Sequence, residues 1–250
     1  MVAPLDFNQF YVIADFYQNK DDHSAMSRSI ELIYEDDFLI AVSKPAGMIV
    51  HRGWGLDSET VSDMVRDQIT HAPVHAIHRL DRGTSGVLLF AKNSETARFV
   101  QEEIEAHRFQ KKYIALVRGP MREDQLVDHP VPKEKSKKSK RVAAITKFTA
   151  LGHKDRWSLV LAEPVTGRLH QIRRHLKHIS HPIIGDVRYG KGEINRFFKA
   201  EYGLDRMALH AIQLDVKHPN GETLILRSPL PIDLMRPLIR LGMTIPSHLQ

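Results

Sequence analysis

The stretch VHAIHRLDRGTSGVLLFAK, residues 74–92, decides the fold class of this 250-residue chain. Its two ends are apolar and strand-like, and a polar connection with glycine at 83 and 86 lies between them. Asp81 sits in that connection between Arg79 and Arg82, close to Thr84 and Ser85. Guanidinium groups on both sides favour the charged form of a carboxylate, and loops carried on a rigid sheet are where catalytic groups tend to sit. The plainer alternative is an aspartate that bonds its own turn, and spacing alone leaves it open.

Outward from this stretch the chain repeats the same grammar. ELIYEDDFLIAVSKP (31–45) reads as a hairpin broken by Pro45 and Gly47. Asn93 or Ser94 caps a helix with Ala97, Val100 and Ile104 in a stripe. KKYIALVRG (111–119), ITKFTALGH (145–153) and WSLVLAEP (157–164) read as strands. VTGR then turns into the helix LHQIRRHLKHI (169–179), with Leu169, Ile172, Leu176 and Ile179 on one face. Residues 207–230 form a hairpin with Asn220-Gly221 at its turn, and a helix around Leu234 and Leu238 follows. Strands outnumber helices and hairpin turns are common, which predicts an α+β fold with a mostly antiparallel sheet. Residues 1–29 read as an N-terminal extension and 30–250 as the catalytic domain; the lysine run at 133–141 reads as a mobile loop and the single candidate seam.

Composition narrows the function classes. Hydrophobic residues make up 42% and charged residues 26%, as in an ordinary soluble domain. No apolar run approaches the ~18 residues of a membrane span, and no signal-peptide pattern opens the chain, so a cytoplasmic protein is expected. The absence of cysteine removes disulfides, thiolate chemistry and cysteine metal sites. A net charge of +6 fits a polyanionic partner, and the charge is clustered: Lys133, Lys135, Lys137, Lys138, Lys140 and Arg141 in one run, Arg168, Arg173, Arg174 and Lys177 in another.

The segment 166–178 is the second chemical candidate. A Gly-Arg turn opens a helix on which His170, Arg173 and Lys177 share a face, suited to docking phosphate or, more simply, a solvated basic face. His170, His175 and His178 lack the HExxH spacing, so no metal is expected. Neither GxxxxGK[ST] nor GxGxxG occurs, so no nucleotide or nicotinamide cofactor is expected, and GTSG lacks the context of a serine nucleophile.

Taken together, KPAGMIVH (44–51), HRLDRGTSGVLLFAK (78–92), KKYIALVRG (111–119) and TGRLHQIRRHL followed by HPIIGD (166–186) resemble the RluA-type family of pseudouridine synthases, in the family's order. VHRGW, RRHLKHISHPIIGD and the NRFF…YGLDRMALHA stretch at 195–211 are most similar to the branch acting on tRNA at position 65 of the T-stem. Residues 1–29 are too short to hold the RNA-binding domain of about sixty residues that precedes many ribosomal-RNA members, so that domain is not expected.

The resemblance implies a mixed, mainly antiparallel sheet bent around a catalytic cleft with flanking helices, no cofactor, and an RNA partner, tRNA before others, with no obligate protein partner. It makes Asp81 the catalytic aspartate, Tyr113 the aromatic that stacks on the target base and assists proton loss, and Arg173 the partner of Asp81. Arg79 fills the gap left by the extracted base. Arg82, Arg168, His170, Arg174, Lys137 and Lys138 are expected to contact RNA. The competing readings are a ribosomal-RNA pseudouridine synthase, a non-catalytic RNA-binding or chaperone protein and, weakest, a DNA-binding module.

Overall fold

The computed structural model describes residues 29–52, 59–134 and 139–249. Apart from Ser29, the expected extension lies outside the described residues, as do Lys137 and Lys138.

The chain builds one large sheet. Its strands are β1 (Glu31–Glu35), β2 (Leu39–Lys44), β3 (His75–Ala76), β4 (Ser85–Ala91), β5 (Gln110–Arg118), β6 (Gln125–Asp128), β9 (Ile145–Lys154), β10 (Trp157–Pro164), β11 (Leu209–Lys217) and β12 (Thr223–Arg227). Spatial order is β1-β2-β4-β11-β5-β10-β9-β6, with β12 on β11 and β3 on β4. Two further strands, β7 (Val131–Pro132) and β8 (Arg141–Val142), pair separately. Every ladder in the large sheet is antiparallel except β11 with β4. The predicted α+β, mainly antiparallel architecture is what the structure has.

Period-two alternation explains why the middle strands are apolar throughout. Ile40, Val42, Leu88 and Phe90 face one core, while Leu39, Ala41, Val87, Leu89 and Ala91 face the other. Five α-helices are described: α1 (Val61–Val65), α2 (Ser94–Glu105), α3 (Gln171–His178), α4 (Gly192–Tyr202) and α5 (Ile232–Arg240). Helix α2 closes the second core through Val100, and its N-terminus is capped as expected, Asn93 Oδ1 accepting from the amide of Thr96 at 2.8 Å. Ile172 and Leu176 of α3, Phe198 of α4, and Leu234 and Leu238 of α5 pack on the first core.

The lysine run is not a seam. Strand β6 precedes it, β9 follows it, and the two pair from Gln125↔Phe148 to Asp128↔Ile145 within the same sheet. Its ends are tied as a hairpin, the amide of Lys133 donating to the carbonyl of Lys140 at 2.8 Å.

The single parallel junction carries the loop that holds Asp81. Ser85 and Gly86 of β4 lie beside His210 and Ala211 of β11. Gly86 has φ +112°, and a Cβ there would stand 2.2 Å from the carbonyl oxygen of Ala211. Only glycine permits that approach. Beneath it, Arg206 Nη2 donates to Ser85 Oγ at 2.6 Å, and Ser85 Oγ and His210 Nδ1 are 2.8 Å apart. His210 Nε2 reaches the Ser228 carbonyl at 2.9 Å, so Nε2 carries the proton and the Ser85 hydroxyl donates to Nδ1.

Candidate active site

The Asp81 turn is gripped from two sides. Its own carbonyl accepts from the amide of Thr84 at 3.0 Å. The KPAG segment holds the next residue: the amide of Gly47 donates to the carbonyl of Arg82 at 2.7 Å, and Arg82 Nε donates to the carbonyl of Gly47 at 2.8 Å. Lys44, wholly buried, donates to the carbonyl of Pro45 at 2.8 Å and lies 3.4 Å from that of Arg82. Burial, with Arg206 nearby, lowers its ammonium to about 7 in spite of Asp81.

The carboxylate of Asp81 is held by neither of its sequence neighbours. Arg173 Nη1, ninety-two residues on, donates to Asp81 Oδ2 at 2.7 Å. The rest of that guanidinium is fixed by Asp186, which accepts from Nε at 2.7 Å and from Nη2 at 2.9 Å. Asp186 Oδ1 also takes the amides of Arg188 and Tyr189, at 2.9 and 3.0 Å. Burial opposes the Asp186 charge, but Arg173 and these amides outweigh it and hold the carboxyl below its ordinary range. Burial likewise opposes the Arg173 charge, and the two carboxylates reverse it and raise its pKa. The Tyr189 ring lies 5.0 Å from the Arg173 guanidinium carbon.

The reading of the face shared by His170, Arg173 and Lys177 as a solvated basic face is therefore corrected. Arg173 is buried and only Lys177 is exposed, because Asp186 and Asp81 supply the acceptors that let an arginine turn inward. His170 stands at the N-cap of α3 in the left-handed conformation, φ +53°, uncommon for a residue with a Cβ. That backbone brings its Nε2 to 3.7 Å from Asp81 Oδ1 and its Nδ1 to 3.0 Å from the Tyr189 hydroxyl. Burial, with Arg173, Arg174 and Arg188 near, lowers the imidazole to about 4 against the pull of Asp81, so His170 is neutral at pH 7.

These groups border a cleft of about 680 Å³ between the Asp81 loop, β5 and the 166–173 segment. Tyr113 lines it, nine-tenths buried, and burial together with Asp81 raises its hydroxyl pKa. Arg79 and Arg168 are exposed along its lining. Arg168 Nε lies 3.3 Å from the carbonyl of Ala143, and Arg82 is exposed outside the lining. Arg174 is directed into the protein: it donates to the carbonyls of Pro132 and Leu169, at 2.6 and 2.9 Å, and to the Tyr189 hydroxyl at 3.0 Å. Among the described residues there is no group of three histidines and acids able to hold a metal.

Sequence reasoning passed over Asp186, Tyr189 and Lys44. HPIIGD and KPAG were visible as motifs, yet nothing local says that an aspartate after a glycine turn will meet an arginine thirteen residues earlier. An isolated acid inside an apolar run, IIGD, is the one signal that could have raised it.

Comparison with known proteins gives a consistent result. The family model described as RNA pseudouridylate synthase matches residues 38–178. The chain is 43% identical over 210 residues to tRNA pseudouridine synthase C of Haemophilus ducreyi, covering 76% of this chain and 86% of that protein. It is 39% identical over 236 residues to the protein of that name from Salmonella typhimurium, covering 85% and 90%. Among solved structures, Human RNA Pseudouridylate Synthase Domain Containing 4 superposes with a TM-score of 0.70 at 25% identity, covering 97% of this chain and 100% of that one. A cleft built around a paired aspartate, on this sheet and with this identity to its relatives, has one reading: the chain belongs to the RNA pseudouridylate synthase family, whose members isomerise uridine to pseudouridine.

Proposed function

We propose that this enzyme converts a uridine of tRNA to pseudouridine, at position 65 in the T-stem, with Asp81 as the reacting group. The tRNA substrate is supported by relatives named tRNA pseudouridine synthase C at 43% and 39% identity. The role of Asp81 is supported by one observation above the rest, its 2.7 Å pairing with a buried arginine at the edge of the cleft.

The chemistry follows from the bonds exchanged. N1–C1′ breaks, the uracil turns, C5 bonds to C1′, C5 loses its proton and N1 gains one. Composition is unchanged, so neither electrons nor energy need be supplied. Cleavage puts positive character on the sugar, and a carboxylate at C1′ is suited to it. Asp81 attacks C1′ or removes the C2′ proton. Arg173, locked by Asp186, orients it. Tyr113 stacks on the detached uracil while it turns. With its hydroxyl pKa raised, Tyr113 is a phenol at neutral pH rather than a standing phenolate base.

A uridine in a stem must leave its helix first. Unstacking costs a few kcal/mol, and Arg79 at the open rim offsets part of that by filling the vacancy. Arg82, Arg168, Lys137 and Lys138 hold phosphates, and His170 steadies the Asp81 carboxylate from inside the cleft. Among the described residues no helix is long and apolar enough to cross a membrane. A tRNA substrate makes the cytoplasm the proposed place of work. Pseudouridine maps of total tRNA and ribosomal RNA, with and without the gene, test this. Loss of a T-stem pseudouridine is expected; loss confined to ribosomal RNA overturns the tRNA assignment.

A further inference from the structure

Two side chains that the proposed mechanism does not use, His78 and Lys111, border the same cleft. Leu89 donates its amide to His78 Nε2 at 3.2 Å, which places the ring's proton on Nδ1. Nδ1 is buried and has no acceptor among the described residues. Lys111 also lines the cleft; its ammonium lies 5.8 Å from the centroid of the Phe109 ring and has no carboxylate partner among the described residues. The His78 ring meets the same Phe109 edge-on at 5.5 Å. Burial lowers the Lys111 pKa, and burial followed by Lys111 lowers that of His78 to about 3. Enclosed charges are ordinarily paired, so the Lys111 ammonium calls for an anion.

Their position is informative. Phe109, Lys111 and Tyr113 all line the cleft, and the last two are alternate residues of β5, so one face of the strand presents them in order. Alternate residues of a strand are ~6.8 Å apart. On the facing loop His78 precedes Asp81 by three residues. His78 and Lys111 thus stand one step along the cleft from Asp81 and Tyr113, a span comparable to one nucleotide of an extended strand. Across the cleft, Gly167 leaves room for the ammonium: a Cβ there would stand 3.3 Å from Lys111 Nζ.

We infer that the Lys111 ammonium, backed by the Phe109 and His78 rings, forms a phosphate site for the nucleotide next to the extracted uridine. A non-bridging phosphate oxygen accepts from the ammonium and brings the negative charge that Lys111 lacks. A neutral His78 beside it adds no second buried cation. This rests on placing the reacting uridine between Asp81 and Tyr113.

The test replaces single phosphates by uncharged methylphosphonates in a hairpin that the wild-type enzyme modifies, and measures Kd and single-turnover rate. The wild type should lose about tenfold or more in affinity at one phosphate adjacent to the target. Lys111→Gln should show that loss on unmodified RNA and be indifferent to the methylphosphonate there; Lys111→Arg should restore sensitivity. Equal sensitivity of Lys111→Gln and wild type at every phosphate overturns the site, as does a Lys111→Gln loss confined to the rate. Should Lys111→Gln not fold, a wild-type scan with no sensitive phosphate beside the target overturns it equally. A T-stem hairpin left unmodified by the wild type counts against the tRNA assignment alone, and the scan is then made on the RNA that is modified.

Discussion

Arg173 and Asp186 meet through two parallel hydrogen bonds, of 2.7 and 2.9 Å, with the aspartate 1% exposed. The guanidinium plane is therefore fixed before any substrate arrives, and the third bond, to Asp81, is aimed by the first two. A lysine could supply the charge but not the fork. Arg173→Lys should fold less stably and lose at least a hundredfold in single-turnover rate, with RNA affinity changed little. A rate within threefold of wild type would mean that charge alone is required.

Asp186→Asn tests the same pair from its other end. The Asp186 pKa is depressed in the fold, so its contribution is complete above the ordinary carboxylate value and is lost as pH falls through the folded value. At pH 7 the variant should be destabilised by about 3 kcal/mol, the scale for breaking a buried pair. Its melting temperature should then fall less than that of the wild type between pH 4 and pH 2. Parallel acid limbs for the two proteins would contradict the assigned pairing.

For Asp81 the informative change is to asparagine, which keeps shape and turn bonding but is a very poor nucleophile or base. Asp81→Asn should fold, bind tRNA and release no tritium from C5-labelled uridine, even with enzyme in excess. Each ~1.4 kcal/mol of lost transition-state stabilisation is about tenfold in rate, so removing the reacting group should cost many decades. Near-normal release would sink its assignment.

Arg79 is exposed at the rim, and its proposed work is done only when a base leaves a stack. Arg79→Ala should slow reaction on a folded T-stem at least tenfold more than on a flexible loop bearing the same uridine. Equal losses on the two RNAs would place Arg79 with the loop geometry instead.

His170 and His210 are both lowered to about 4, burial being the first cause in each. A histidine lowered in the fold binds its proton more weakly there than in the unfolded chain, where its pKa is ~6.5. Its contribution to stability is complete above that value and is lost as pH falls from there towards 4. Thermal melts should show stability declining through that window. His210→Gln should be less stable at pH 7 yet decline less on acidification; an unchanged slope would show that His210 is not the titrating group.

Strand periodicity made the sheet legible: β2, β4, β5, β9, β10 and the β11–β12 hairpin all fall where alternation and turn residues place them. The short β6, β7 and β8 were not legible, being two to four residues long and fixed by pairing rather than by pattern. At the site the contrast is sharper. Asp81 stood out because its surroundings are odd, but Arg79 and Arg82, beside it in sequence, do not hold it. The residue that does lies on another element, turned inward by an aspartate on a third. A one-dimensional pattern carries the period of a helix and not the acceptor that decides which cation may be buried.

The lone parallel contact of β4 with β11 bears on when activity can arise during synthesis. The partners of Asp81 and Ser85 lie ninety-two and one hundred and twenty-five residues downstream. A nascent chain short of β11 already contains Asp81, Tyr113 and Arg173, but its catalytic loop rests on an open strand edge at Ser85–Gly86. Contacts between distant segments form late, because a long loop must close before they contribute. A ribosome-bound intermediate with these three residues translated is therefore expected to be silent, and emergence of residues 209–217 is the expected point at which activity begins.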